Sequence, residues 1–277
     1  MCGENYEMQE YIVVFIDILG AKELIKESKG LQTVHSIYDM VINDLKSEHC
    51  NKQINIENLG AKIFSDNIVI YAKSKDFDNY EYMFFGVIAM VSLIQEKFLE
   101  KNILVRGGIT LEDFFVDDVM VWGKALVKAY TLESQCAIFP RVIIDPCVFD
   151  KINSLKEKSS TENDSVIVSD FLYKDKDGFL SVNYLLINHT QINYAINGET
   201  VLPFKGLFET QKGIEKVETY ITYANQIIEK SHSDDKLMQK LMWHQNYLLD
   251  IKKHLTNSDP THIVFQIKQK EEKQCEQ

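Results

Sequence analysis

No run in this chain of 277 residues reaches the roughly 18 apolar residues that a membrane-spanning helix needs. The opening residues, MCGENYE, lack the basic start and apolar centre of a signal peptide. Cys2 ahead of Gly3 also removes the Met-Gly start that myristoylation uses. The cysteines, Cys2, Cys50, Cys136, Cys147 and Cys275, are odd in number and show no paired spacing, so they read as free thiols in a reducing cytoplasm. Positive charge is in deficit: 30 Lys and Arg face 41 Asp and Glu, a formal net charge of −11. That disfavours a broad nucleic-acid surface and leaves room only for a local basic pocket. No Walker-type phosphate loop occurs, and Gly107-Gly108 is too short to be a cradle. His35, His49, His189, His232, His244, His254 and His262 show no metal-ligand spacing and read as incidental. There is no internal repeat.

Apolar residues, by contrast, are plentiful. They make up 45 % of the chain, enough for one large domain or one domain with an addition. Residues 11–20, YIVVFIDILG, form an apolar run with one acid near its end. Its β-branched and aromatic residues suit a strand buried on both faces. Asp17 does not suit that interior, because a buried carboxylate without a partner is costly. Gly20 lets the chain turn away. A second such stretch, 62–71, again carries one acid, Asp66.

The spacing predicts helices over 21–28 and 31–45, the latter with Leu31, Val34, Ile37, Tyr38, Val41, Ile42 and Leu45 on one face. Residues 46–52 read as a polar turn. Residues 54–59 alternate as a strand does, and Asp66-Asn67 reads as the tight turn of a hairpin. A long helix is expected over 78–100 and strands over 103–110 and 114–122. A helix over 123–134 and a short strand over 141–144 follow. Residues 151–164 read as a polar surface excursion. Strands over 165–173 and 179–187 flank a hairpin turn at 174–178, and 188–200 reads as loop. Two amphipathic helices, 214–230 and 236–254, precede a polar tail. This order predicts an α+β fold, with helices segregated on one face of a sheet in the ferredoxin-like manner.

Asp17 and Asp66 are distant in sequence, yet this order brings both to one edge of the sheet. Each alone reads equally as a turn cap. Together they would repel unless a cation lay between them. Oxygen donors in small number favour Mg²⁺ or Mn²⁺ over zinc. Two such ions side by side are a known device for phosphoryl chemistry.

Five segments carry a resemblance. Phe15-Ile-Asp-Ile-Leu-Gly20 and Phe64-Ser-Asp66 resemble the two metal-aspartate motifs of class III nucleotidyl cyclases. Leu104-Val-Arg-Gly-Gly-Ile109 resembles the strand that follows. Residues 122–133, WGKALVKAYTLE, resemble the cyclase helix, and Pro140-Arg-Val-Ile-Ile-Asp145 extends the likeness. The phrasing is most similar to the bacterial Pycsar family of pyrimidine cyclases. The resemblance implies a ferredoxin-like cyclase core over 1–212, a helical extension over 213–256 and a tail over 257–277. It implies a cytoplasmic lyase that turns UTP or CTP into cUMP or cCMP and pyrophosphate. Two Mg²⁺ or Mn²⁺ ions per site would be held by Asp17, Asp66 and the backbone carbonyl of Ile18. It further implies a homodimer with sites at the interface, and a separate effector answering the product in defence against phage.

The departures from the cyclase pattern bear on catalysis. The positions of the usual Asn and Arg hold Val127 and Thr131. Another cation must then face the charge that develops on the phosphate, or the domain binds a nucleotide without turnover. Arg106 is the catalytic candidate, with Lys124, Lys128 and Arg141 as nucleotide-binding candidates. Each also has a plainer reading: Arg106 pairs with an acid across the sheet, the lysines form a solvated face, and Arg141 fixes a turn. Lys62 aligns with the purine-selecting lysine of adenylyl cyclases, but its acidic partner is replaced by Met120, which favours another base. A different palm-type nucleotidyltransferase stays open, though the Gly-Gly-Asp-Glu-Phe motif of diguanylate cyclases is absent.

Overall fold

The computed structural model describes residues 7–46, 59–74, 80–156, 172–189, 192–196, 199–201, 210–230, 235–257 and 263–267. The strand expected over 54–59 and the polar turn over 46–52 lie outside these but for Leu59 and Lys46, as do most of the strand over 165–173 and most of the tail.

The apolar run forms the central strand β1 (Gln9–Ile18), antiparallel to β3 (Asn67–Lys73) on one side and to β4 (Val105–Val116) on the other. With β2 (Leu59–Phe64), β5 (Val121–Trp122), β6 (Val142–Ile144), β7 (Leu172–Lys174) and β8 (Leu180–Val182) it builds an eight-stranded sheet of order β2-β3-β1-β4-β6-β8-β7, with β5 paired to β4. Among the described residues, only the β4–β6 pairing is parallel within this sheet. The fold is α+β with a mostly antiparallel central sheet, as expected.

Side chains alternate across a strand, and β1 is covered on both faces, each by different elements. Ile12, Val14, Ile16 and Ile18 face the large core with α1 (Ala21–Lys26), α2 (Gly30–Lys46) and α3 (Tyr80–Leu99). Val13 and Phe15 face a smaller cluster beneath α4 (Lys124–Thr131), which lays Ala125 and Ala129 on the sheet. Asp17 is next in that odd series, so it falls on the second face, at the end of the strand. Gly20 then turns the chain with φ 79°.

Several boundaries differ from expectation. The hairpin turn is Ser65-Asp66, with Phe64 paired to Asn67 and Ser65 at φ 57°. A single strand, β4, runs from Val105 to Val116 across the break expected between two strands, because the Phe114–Val116 stretch pairs on without interruption. Residues 146–156 form a helix, α5 (Pro146–Lys156), and 184–189 another, α6 (Tyr184–His189). The region taken as loop holds β9 (Ile192–Ile196) and β10 (Glu199–Val201). With β11 (Ile263–Ile267), parallel to β9, they form a second sheet.

The last two helices, α7 (Thr210–Lys230) and α8 (Asp235–Asn257), share the main core through Val217, Tyr220, Leu248 and Ile251. Lys216 Nζ reaches the buried Glu96 at 2.9 Å and Glu100 at 2.6 Å. The Tyr220 hydroxyl donates to Glu96 at 3.0 Å. Deeper in, Tyr184 Oη and His244 Nε2 share a hydrogen bond of 3.1 Å, and the Tyr247 hydroxyl donates to Asn183 at 3.0 Å. No helix among the described residues is long and apolar enough to cross a membrane.

Burial pushes the His244 imidazole down to about 4, so the folded state holds it neutral. Its unfolded value is higher, so the unfolded chain binds the extra proton as pH falls from about 6.5 to 4. Stability should therefore drop across that window by about 3 kcal/mol on account of this one group. Chemical denaturation at stepped pH should show a shallower decline in His244→Gln than in the natural protein.

Candidate active site

The odd-numbered face of β1 remains covered only as far as α4 reaches. Beyond Phe15 the sheet edge opens, and Asp17 sits there opposite Asn67 on β3 and Arg106 on β4. The hairpin turn brings Asp66 alongside. The Ile18 N–H donates to the Asp66 carbonyl oxygen at 3.2 Å, while the Leu19 N–H donates to Leu104 at 2.9 Å on the opposite strand. Ladder bonds alternate in direction, so the Ile18 backbone carbonyl points toward the Asp66 side. The Asp66 carboxylate accepts from the Asn67 amide at 3.2 Å.

Arg106 faces two acids. Its Nε lies 2.6 Å from Glu133 Oε1 and 3.5 Å from Asp17 Oδ2. The closer contact is off the N–H direction, because Glu133 Oε1 has no aligned hydrogen-bond donor. Glu133 is 2 % exposed and arrives from the π-helical turn Leu132–Cys136 that ends α4. Burial raises the Asp17 carboxyl; Arg106 opposes this and the charge of Asp66 adds to it. Burial also lifts Glu133, to about 7, with Arg106 opposing and Asp17 and Asp66 adding. Three carboxyl groups thus feel one another around a single guanidinium.

This donor set fits a hard divalent cation. The carboxylate oxygens of Asp17 and Asp66 and the Ile18 carbonyl are hard ligands, and their mutual repulsion is what a positive ion relieves. Among the described residues, no three His, Cys, Asp or Glu side chains are arranged to hold one ion by themselves.

The other predicted site residues lie at varying distance from this cluster. Lys62, on β2, donates to the backbone oxygen of Asp118 at 3.5 Å, beside the turn that Met120 closes. Lys124 is 75 % exposed, with Asp113 at 3.3 Å. Lys128 is more firmly held: its Nζ lies 2.6 Å from Asp145 Oδ2, and Asp145 also accepts from the Thr110 hydroxyl at 2.9 Å. Both lysines border a groove along α4 with Trp122, Val127 and Thr131. Arg141 does not join the acids. It is 1 % exposed and enclosed by Asp175 (2.5 Å), Asp177 and the rings of Phe139, Phe179 and Trp243. Tyr130 is 52 % exposed and meets Phe15 edge-on. Glu133 was missed as a site residue. A single acid after an apolar helix face is the only sign of it in the sequence.

No protein-family model matches the chain, and no curated protein matches it. Solved structures with a similar fold include the adenylyl cyclase CyaB from P. aeruginosa (13 % identical, 64 % of this chain and 93 % of that one, TM-score 0.38). Another is an adenylate/guanylate cyclase/hydrolase from Silicibacter pomeroyi (16 %, 64 % and 95 %, TM-score 0.37). A third is a class III adenylyl cyclase-like ATP-binding protein from Pseudomonas aeruginosa (11 %, 65 % and 40 %, TM-score 0.41).

The close seating of α4 on β4 depends on Gly108. A Cβ there would lie 2.5 Å from Leu132 Cβ and 2.6 Å from the Ala129 oxygen. Gly108→Ala should lift the helix end that carries Glu133 and destabilise the fold by about 1–3 kcal/mol, measured by urea unfolding.

Proposed function

We propose that this chain is a nucleotide cyclase acting on a pyrimidine triphosphate, UTP or CTP, to give cUMP or cCMP and pyrophosphate. What supports the reading above all is the meeting of Asp17 and Asp66 at the open end of β1, beside a backbone oxygen. In the reaction the ribose 3′-oxygen bonds to the α-phosphorus, the bond from that phosphorus to the β-phosphate oxygen breaks, and the 3′-hydroxyl proton is released. Asp17, Asp66 and the Ile18 carbonyl would hold Mg²⁺ or Mn²⁺, two ions per site. Such an ion supplies the positive charge that acidifies the hydroxyl and neutralises the phosphates.

The protein's own groups do the rest. Arg106 stands beside the acids as the cation nearest the α-phosphate. Lys124 and Lys128 border the groove along α4 as partners for the phosphates. Lys62, next to Met120, lies where a base edge would be read. With Met120 in place of the acid that would complete an adenine-reading pair, the spot suits a base other than adenine.

A homodimer completes the proposal. Trp122 and Val127 are 62 % and 65 % exposed on the open face, with Tyr130 beside them. A second copy would cover these rings and bring its own α4 groove toward the acids. The product would act on a separate effector in defence against phage, as the motif phrasing suggests. Val127 and Thr131, which bring neither amide nor guanidinium to the groove, favour a second reading: a nucleotide-binding domain without turnover.

Incubating the full chain with each of four NTPs and Mn²⁺, then weighing the products, tests the first reading. A cyclic pyrimidine monophosphate is expected, and Asp17→Asn or Asp66→Asn should cut its formation by about 10²-fold or more. No cyclic product from any NTP overturns turnover and leaves the binding reading. Sedimentation should give twice the 32.1 kDa of one chain, and Trp122→Glu should return a monomer with an unchanged fold.

A further inference from the structure

We propose that Glu133 is a positioning residue for Asp17: it draws the Arg106 guanidinium away from Asp17 and so leaves Asp17 open to a divalent cation. The inference rests on the reading of Asp17 as a metal ligand. One nitrogen, Arg106 Nε, lies between two carboxylates, and the distances are unequal, 2.6 Å to Glu133 and 3.5 Å to Asp17. The Nε–H still donates to Asp17, but the nitrogen is drawn so close to Glu133 that this hydrogen bond is stretched to 3.5 Å. A guanidinium in full contact with Asp17 would be a resident cation, and any metal ion would have to displace it.

Glu133 is suited to hold on. It is buried against β4, where water cannot take over from Arg106, and a buried charge that loses its partner is costly. Its Oε1 has no aligned donor, so the contact rests on charge and not on a directed hydrogen bond. Its place is set by two further features. The π-helical turn Leu132–Cys136 swings it under the helix, and Gly108 lets that turn approach the sheet. The charge of Asp66 also acts on Asp17, so a guanidinium released from Glu133 would meet the field of two acids at the proposed metal position.

Replacing Glu133 by the isosteric Gln removes the charge while keeping the shape. Arg106 then has Asp17 as its remaining acid partner. Outer-shell changes of this kind cost roughly 10–100-fold in metal affinity. The experiment is Mn²⁺ binding to the full chain at pH 8.5, read from the spectrum of free Mn²⁺ by electron paramagnetic resonance, with thermal unfolding as a check of the fold. Glu133→Gln should bind about 10-fold more weakly than the natural protein. Glu133→Gln combined with Arg106→Met should return toward the natural affinity, because the competing cation is gone.

A purely structural role for Glu133 predicts otherwise: the double variant would be as weak as the single one, or weaker, and that result overturns the inference. So does a Glu133→Gln protein with unchanged affinity while Asp17→Asn has lost binding. If Asp17→Asn binds Mn²⁺ as the natural protein does, the metal reading of the site fails first and the inference falls with it.

Discussion

Three carboxyl groups held close to one guanidinium set the terms for everything near the end of β1. Burial and the charge of Asp66 hold the Asp17 and Glu133 carboxyls above their ordinary values, and Arg106 offsets this for both. Such a cluster is unfavourable in a core and out of place on a plain surface. It is tolerable at an edge where one side is dry and the other open to a positively charged partner. The sheet supplies that edge. Its even-numbered β1 residues are sealed by α2 and α3, and its odd-numbered ones are sealed only while α4 lies over them.

Much of this architecture was legible beforehand because it is written in alternation. An apolar run whose single acid falls on the odd positions announces a strand buried on both faces that emerges at one end. The hairpin turn expected at Asp66-Asn67 was off by one residue, yet it still delivered Asp66 next to Asp17, because an antiparallel pairing with β1 leaves the turn nowhere else to go. The long helix over 80–99 and the two late helices were equally plain from their apolar spacing.

Less legible was whatever depends on partners far away in the chain. The break expected at 111–113 is absent: β4 runs unbroken to Val116, since β1 runs opposite it as far as Phe114, and β5 then folds back on its end. The polar segment ending in Ile263–Ile267 gains a strand only by lying against Ile192–Ile196. Charged residues were the hardest of all. Arg106, Lys128 and Arg141 look alike as isolated cations, and their surroundings separate them: one shared between acids, one fastened to Asp145, one shut away. Glu133 gave no local sign of its neighbours.

The shut-away arginine has a consequence for the chain's end. Trp243, on α8, donates to Asp175, lies flat on Phe139 and stacks on Tyr247, and so closes one wall around the Arg141 guanidinium. The Arg141 carbonyl in turn accepts the N–H of Gly107, the neighbour of Arg106. A shift of the last helix is therefore mechanically continuous, through one indole and one peptide, with the strand that faces the acids. Whatever grips α8 from outside has a lever on that strand.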